Sequence, residues 1–256
     1  MQGPQSSVTR FSSRVADYVR YRPGYPPALI EWVHGELGVR PDALVADIGA
    51  GTGISARMFL EAGHPVLAVE PNADMRAAAE SWLGADAGFR PVDGTAEATT
   101  LADGSVDLVS AAQAFHWFDT HAVRCEWRRI LHAGGLALVY WNSRLLDSSP
   151  FMAGYEQLLL EYGVDYTAVA ERYQDDATMR DWFGAGLRGI AQFPNVQRLD
   201  FDALRGRLLS SSYAPLPDHL RHAPMVEALE RLFQHHARDG YVDFEYRTRA
   251  FAGSLD

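Results

Sequence analysis

The feature of this sequence that most constrains the fold is a glycine-rich turn between an apolar run and a helical segment. Residues 45–53 read VADIGAGTG, and helical spacing of apolar residues begins at Ile54. A short apolar run that breaks into glycines is typical of a buried strand in a parallel sheet. Glycines at such a turn allow positive φ and let the backbone approach a ligand closely. The turn therefore predicts an α/β fold with a ligand site at the carboxyl end of this strand.

Further apolar runs alternate with helical patterns through the first 141 residues. The predicted strands are 43–48, 65–69, 89–92, 106–111 and 136–141. The predicted helices are 28–37, 54–62, 72–83 and 122–131. Strands that alternate with helices along the chain predict a doubly wound, mostly parallel sheet with helices on both faces.

The remaining residues have a different pattern, with helical and aromatic segments before two more strands. Helices are predicted at 150–163, 166–183 and 217–237, and strands at 196–201 and 244–251. We therefore expect one domain with four parts. These are an N-terminal cap (1–40), a ligand-binding core (41–143), a helical insertion (144–190) and a C-terminal part with strands and helices (191–256).

Composition narrows the classes of partner. The formal net charge of −10 opposes binding to nucleic acid. All 23 basic residues are arginine, which excludes Schiff-base and P-loop lysines. The single cysteine, Cys125, gives no disulfide framework or thiolate metal cluster, and the histidine pairs at 219/222 and 235/236 suit solvated helices better than a metal. No apolar stretch is long enough to span a bilayer and no signal peptide is evident, so we expect a cytoplasmic protein that binds no membrane and no metal.

The glycine spacing separates two kinds of nucleotide site. A dinucleotide fingerprint needs a third glycine at position 54, where this chain has Ile54. Instead, Asp47 precedes the glycines, and Glu70 ends the next predicted strand. A carboxylate at that point can accept hydrogen bonds from both hydroxyls of an adenosine ribose, and it disfavours a ribose that carries a 2′-phosphate.

Three further strings accompany this motif. They are GTAEA at 94–98, AAQAFHWFD at 111–119 and SSSYAP at 210–215. With the glycine turn and Glu70, they make the chain resemble class I S-adenosylmethionine-dependent methyltransferases of the small-molecule branch (methyltransferase type 11, trans-aconitate methyltransferase-like). The resemblance implies a Rossmann-like seven-stranded, mostly parallel sheet with a helical lid insertion, and S-adenosylmethionine as cofactor.

The resemblance also implies a set of cofactor-binding residues. Gly49, Ala50 and Gly51 would lie against the methionine and ribose of the cofactor, and Glu70 would hold the ribose. Asp47 would either brace the glycine turn or lie near the methionine amino group. The residues expected around the adenine are Pro71, Asn72, Met75, Thr95 and Ala96.

Other residues are candidates for the acceptor side. Gln113 would approach the sulfonium or the substrate, and His116 is either a general base or a wall of the pocket. Tyr18, Arg22 and Tyr25 belong to an N-terminal segment that, by the same resemblance, would fold over the cofactor as a lid. Tyr18 and Arg22 are also expected to bind the cofactor, and Arg22 could hold a carboxylate of the acceptor. More distant candidates for the acceptor pocket are Arg207, Tyr213 and Tyr246.

The predicted activity is methyl transfer to a small molecule, at a carboxylate or hydroxyl oxygen. A non-catalytic S-adenosylmethionine-binding regulatory module is an alternative. An NAD-dependent oxidoreductase is a weaker one, since Ile54 replaces the third glycine and a catalytic Tyr-x-x-x-Lys pair needs a lysine.

Overall fold

The computed structural model describes residues 21–164, 166 and 175–255, so Tyr18 and the first part of the expected lid lie outside the described residues. The strands are β1 (Val45–Ile48), β2 (Val66–Val69), β3 (Phe89–Val92), β4 (Val106–Ala112), β5 (Leu131–Arg144), β6 (Leu187–Leu199) and β7 (Val242–Gly253). The α-helices are α1 (Pro27–Gly35), α2 (Ile54–Glu61), α3 (Ala73–Leu83), α4 (Thr120–Ile130), α5 (Pro150–Tyr162), α6 (Asp176–Phe183), α7 (Phe201–Leu209) and α8 (His222–His236).

The seven strands form one sheet in the order β3-β2-β1-β4-β5-β7-β6. Pairs β2–β3, β1–β2, β1–β4 and β4–β5 are parallel, whereas β7 is antiparallel to both β5 and β6. The predicted doubly wound, mostly parallel seven-stranded sheet is therefore confirmed. The order reverses between β1 and β4, and ligands bind open α/β sheets at such a switch point.

Apolar side chains are buried on both faces of the parallel strands. Phe59 of α2 belongs to one core cluster with α1 and α3, and Trp127 of α4 belongs to another with α6. All four residues of β1 are buried, as expected for a strand covered by helices on both faces. Each large apolar side chain buried in this way stabilises the fold by about 1.5–3 kcal/mol.

A third core cluster covers the half of the sheet formed by β6 and β7. Tyr155 of α5, Leu204 of α7 and Leu229 of α8 pack in one cluster with Phe244 of β7. Helix α5 of the expected insertion thus shares its core with the C-terminal helices. Helices α5 and α7 contribute Glu156 and Arg207 to one side of a cavity at the carboxyl edge of the sheet.

The structure differs from the sequence predictions mainly after residue 184. Strand β6 begins at Leu187, inside the segment expected to be a helical insertion up to residue 190. The strand predicted at 196–201 is wrong at its end, because Asp200 accepts a hydrogen bond from the Ala203 N–H and caps a helix that begins at Phe201. Sequence patterning missed that helix, α7. Helix α8 begins at His222 rather than at 217, and β5 already begins at Leu131.

In the described residues, no helix is both long and apolar enough to cross a membrane.

Candidate functional site

The glycine turn lies at the switch point, between β1 and α2. Gly49 and Gly51 have φ of +68° and +57°, a region that favours glycine. The Gly49 and Ala50 N–H groups donate to the Val69 carbonyl oxygen at 2.9 and 3.1 Å, which fixes the turn to β2. A Cβ atom added to Gly51 would meet nothing nearer than the Met75 Sδ at 3.9 Å. The backbone of Gly51 therefore faces open space that a bound molecule can occupy.

Glu70 follows β2 and is tied to the glycine turn. Its Oε2 accepts from the Gly51 N–H at 3.0 Å, and its Oε1 accepts from the Asn72 N–H at 2.9 Å. Burial raises the pKa of Glu70, although the hydrogen bonds from Asn72 and Gly51 and the charge of Arg76 oppose this. Each carboxylate oxygen keeps a further lone pair with which to accept a ribose hydroxyl.

The residues expected around an adenine lie beside Glu70, at the start of α3 and after β3. Asn72 caps α3 by accepting from the Asp74 and Met75 N–H groups, and Met75 is buried. Thr95 accepts from the Ala98 N–H within a tight turn. Ala96 is buried, whereas Pro71 is exposed. The capping role makes the Asn72 side chain part of the scaffold of this region.

Asp47 is fully buried beneath the glycine turn. Its Oδ2 accepts from the Ser55 hydroxyl, while its Oδ1 has no hydrogen-bond partner among the described residues. Burial raises the pKa of Asp47 to about 7, although hydrogen bonds from Ser55 and Ser110 oppose this. Ser55 lines the cavity beside the glycine turn and Asp47 does not. This placement favours a role for Asp47 in bracing the turn.

A cavity of about 370 Å³ opens beside the glycine turn and extends toward β5, β7 and α7. The expected site residues that line it are Arg22, Gly49, Ala50, Gly51, Gln113 and His116. The three more distant candidates, Arg207, Tyr213 and Tyr246, line it as well. The lining residues that sequence reasoning missed include Asn142, Arg144, Glu156 and Tyr166.

Gln113 follows β4 and is held in an uncommon backbone conformation. Its φ is +57°, a left-handed value that costs energy for a residue with a side chain. Its Nε2 donates to the Asn142 carbonyl oxygen at 3.2 Å, and its Oε1 is buried with no donor among the described residues. Backbone strain and an unsatisfied acceptor are features of a residue arranged to meet a ligand.

His116 lies in a 3₁₀ turn, Phe115–Trp117, directly after Gln113 on the cavity wall. Its ring is half-buried and packs 4.9 Å from the Trp117 ring, measured between centroids. Both roles expected for His116, general base and pocket wall, are compatible with this position.

The described end of the N-terminal cap crosses the carboxyl edge of the sheet. Asn142 and Asn195 donate to the Gly24 carbonyl oxygen at 3.0 and 2.9 Å, and Tyr25 packs edge-on against Tyr140. The Arg22 Nη2 donates to the Ser210 carbonyl oxygen at 3.0 Å. Residues 22–25 thereby form one wall of the cavity, and their opening and closing as a lid stays a prediction.

Arginine and tyrosine side chains form the far wall. Arg144 pairs with Glu156, and the Tyr166 hydroxyl donates to the same Glu156 oxygen at 2.7 Å. Arg207 donates from Nε to the Tyr246 hydroxyl at 2.9 Å. The only sequence signal for Arg144 was its place after a predicted central strand, and Glu156 and Tyr166 gave none.

Among the described residues, no group of three His, Cys, Asp or Glu side chains is arranged to hold a metal ion. The sheet order, the glycine turn and the acid after β2 together define a Rossmann-like fold with a nucleoside-type cofactor site.

Comparisons with known proteins agree with this class. A family model described as a methyltransferase domain matches residues 46–139. An uncharacterized methyltransferase-like protein of Schizosaccharomyces pombe is 31% identical over 272 residues, covering 98% of each chain. An uncharacterized methyltransferase of Mycobacterium tuberculosis is 39% identical over 134 residues, 52% of each chain. Several curated relatives are matched over only about half of their length, 52–58% for four of them.

A solved structure described as a type II methyltransferase, from Anaeromyxobacter dehalogenans, has the same fold. Its TM-score is 0.67 at 22% identity, and the match covers 92% of this chain and 98% of the other. The chain belongs to the class I S-adenosylmethionine-dependent methyltransferases. The residues at the switch point fit that cofactor, because Gly51 faces open space, Glu70 can accept ribose hydroxyls, and Gln113 presents an unsatisfied oxygen.

Proposed function

We propose that this protein transfers a methyl group from S-adenosylmethionine to a small anionic molecule, with a carboxylate oxygen as the acceptor atom. The observation that supports this proposal is the charge of the cavity wall. Among the described lining residues, Arg22, Arg144 and Arg207 are cationic, and Glu156 is the one carboxylate. Arginine pairs with a carboxylate through two parallel hydrogen bonds, so such a wall favours an acid.

Electrostatics at Tyr213 support the same conclusion. Burial opposes ionisation of this phenol, yet the pKa of Tyr213 is lowered, because the charges of Arg207 and Arg22, a hydrogen bond with Ser211 and the charge of Arg144 together outweigh burial. A positive potential that favours a phenolate also favours a bound anion.

The chemistry requires the protein mainly to position the acceptor and to exclude water from the site. S-adenosylmethionine supplies a methyl group already activated on a positively charged sulfur. A carboxylate is nucleophilic at neutral pH, so no base is needed, and the site has to orient the acceptor and exclude water. The arginines would orient the anion, Gln113 would lie at the reacting end, and His116 with Trp117 would shield that end from solvent.

The test compares two variants on one identified acceptor. We expect His116→Gln to keep most of the turnover rate, because the imidazole only shapes the pocket. We expect Arg22→Met to raise the Michaelis constant for the acceptor about tenfold, or about 1.4 kcal/mol of lost binding. His116→Gln should bind S-adenosylhomocysteine as the wild type does, and a titration of Arg22→Met with S-adenosylhomocysteine separates loss of acceptor binding from loss of cofactor binding.

A hydroxyl acceptor is the second candidate, and the position of His116 on the cavity wall favours it. A neutral hydroxyl needs a general base, so His116→Gln would then lower the rate by ~10²–10⁴. A loss of that size would reject the carboxylate assignment. Cofactor binding without turnover of any acid or alcohol would instead favour a non-catalytic binding module.

A further inference from the structure

Arg207 is the most unusual charged residue of the cavity. It lies on α7, is 5% exposed and lines the cavity. Its Nε donates to the Tyr246 hydroxyl at 2.9 Å, and its Nη1 donates to the Ser211 hydroxyl at 3.0 Å. None of the carboxylates that the structure describes forms an ion pair with it. Because a buried charge is costly unless it is paired, Arg207 calls for a counter-ion.

The carboxylate of the cavity wall and the hydroxyl partner of Arg207 are both engaged elsewhere. Glu156, the acid of the cavity wall, pairs with Arg144 and accepts from Tyr166. The Tyr246 hydroxyl donates its proton to the Gln197 Oε1 at 2.8 Å, so it meets Arg207 as a neutral acceptor. These contacts orient the guanidinium group without neutralising it.

The strand order separates Arg207 from the place of methyl transfer. Tyr246, its partner, lies on β7 opposite Arg144 of β5. Gln113 and the glycine turn follow β4 and β1, and β5 stands between β4 and β7. Two strand spacings separate β4 from β7, or about 10 Å. An anion bound at Arg207 therefore lies well away from Gln113.

We propose that Arg207, with Ser211 and Tyr246, is an anchor subsite for an anionic group of the acceptor that does not itself receive the methyl group. The acceptor then has two ends, an anionic oxygen group held at Arg207 and a reacting group held near Gln113. The anchoring group has the chemistry of a carboxylate or a phosphate. This inference rests on the proposed function for the identity of the second end.

The first experiment measures anion binding to the S-adenosylhomocysteine-saturated protein by calorimetry, with acetate, inorganic phosphate and neutral acetamide as probes. We expect acetate or phosphate to bind and acetamide not to bind, and the preferred anion tells a carboxylate anchor from a phosphate anchor. Arg207→Met should lower the affinity for the anion at least tenfold, and Arg207→Lys should lower it less. The matched control is Arg205→Met, two residues earlier on α7, whose exposed side chain pairs with Asp202. Equal anion affinity in wild type and Arg207→Met would overturn the proposal.

The stability of the free protein separates a ligand-binding role from a structural one. A buried guanidinium that awaits a ligand destabilises the free protein, so Arg207→Met should unfold at the same temperature as the wild type or a higher one. A large fall in the unfolding temperature, with anion affinity unchanged in the folded fraction, would make Arg207 structural and reject the subsite.

A third measurement tests whether the anchored group is the one that reacts. With labelled S-adenosylmethionine, bound acetate should yield no methyl acetate above background. Methyl acetate formed by the wild type and lost in Arg207→Met would place the reacting group at Arg207 and overturn the two-ended arrangement. Failure of the proposed function would look different, since S-adenosylhomocysteine would then not bind, or no acid would be methylated, while Arg207 still bound the anion.

Discussion

The two halves of the site differ in their buried ionisable groups, which are acids in one half and mainly arginines in the other. We call the region around the glycine turn and Glu70 the cofactor half, and the region at the ends of β5, β7 and α7 the acceptor half. Asp47 and Glu70 are the buried acids of the cofactor half, and both have a raised pKa because of burial. Arg144 and Arg207 are the corresponding cations of the acceptor half. A cationic cofactor end and an anionic acceptor suit this division.

The two halves also differ in how far along the chain their contacts reach. In the cofactor half, Ser55 donates a hydrogen bond to Asp47, eight residues earlier in the chain, and Gly51 donates one to Glu70, 19 residues later. In the acceptor half, Arg207 meets Tyr246 at a separation of 39, and Arg22 meets Ser210 at 188. The first half is therefore built from one strand–turn–helix–strand segment, whereas the second is assembled from the whole chain.

The largest expected effect is on the glycine turn. Gly51→Val places a branched side chain in the open space where we expect the cofactor to bind, and forces a residue with a side chain into a left-handed φ of +57°. We expect S-adenosylhomocysteine affinity to fall at least a hundredfold, or about 2.7 kcal/mol, measured by calorimetry.

Backbone strain alone is controlled by Gly240→Val. Gly240 has φ of +81° and open space around it, in the hairpin before β7. That variant should lose stability and keep cofactor affinity. If both variants bind the cofactor equally well, Gly51 does not contact the cofactor.

These differences in reach explain what the sequence could predict. The sheet class and the strands up to β4 follow from local alternation of apolar runs with helices, and the glycine turn with Glu70 follows from spacing. Helix α7 was missed because its cap, Asp200, directly follows a strand-like alternation in β6. Arg144, Glu156 and Tyr166 meet only through tertiary packing, so no local pattern marks them.

The second prediction concerns Glu70. Glu70→Ala removes the acceptor of the Gly51 and Asn72 N–H groups together with the proposed ribose contacts. Loss of charge-assisted hydrogen bonds should weaken S-adenosylhomocysteine by about 1.5–3 kcal/mol. The matched control is Glu80→Ala on the exposed side of α3, which should bind normally. Unchanged cofactor affinity in Glu70→Ala would reject the assignment of Glu70 to the ribose. Glu70 would then no longer count as a cofactor-binding acid in the comparison of the two halves.

The third prediction concerns the protonation state of Asp47 in the cofactor half and its effect on stability. Burial raises the pKa of Asp47 to about 7 in the free protein, so folded Asp47 keeps a proton that the unfolded chain loses near pH 4. For this group, the free energy of unfolding therefore falls as pH rises from about 4 to about 7. The free energy of unfolding of Asp47→Asn should lack this dependence on pH. The difference in this free energy between Asp47→Asn and the wild type should therefore favour the variant more at pH 8 than at pH 5.

Binding of the protonated amino group of the cofactor, which S-adenosylhomocysteine retains, should favour ionised Asp47. We expect up to about one proton to be released per S-adenosylhomocysteine bound near pH 6, seen as buffer-dependent calorimetric enthalpies. Asp47→Asn should release fewer protons than the wild type. Equal proton release in the wild type and in Asp47→Asn would show that the proton comes from Glu70 or another group. Asp47 would then only support the glycine turn.

The smallest expected effect lies at the amino edge of the sheet, away from both halves. His64 Nδ1 lies 3.0 Å from the Ala43 carbonyl oxygen, and His64 Nε2 lies 2.8 Å from His34 Nε2. A carbonyl only accepts, so neutral His64 carries its proton on Nδ1 and accepts from His34.

Burial, with a smaller contribution from His34, lowers the pKa of His64, although Ala43 and the charge of Asp42 oppose this. Below about pH 6.5 the unfolded chain takes up a proton that folded His64 resists, so the free energy of unfolding falls as pH decreases. His64→Phe should flatten this slope between pH 7 and 5 in urea titrations, with a loss at pH 7 of about 1 kcal/mol for the hydrogen bonds. The control His132→Gln, at an exposed position, should keep the slope. Cofactor and acetate affinities should be unchanged in both variants, and a change in either would show that the halves of the site are coupled to this edge of the sheet.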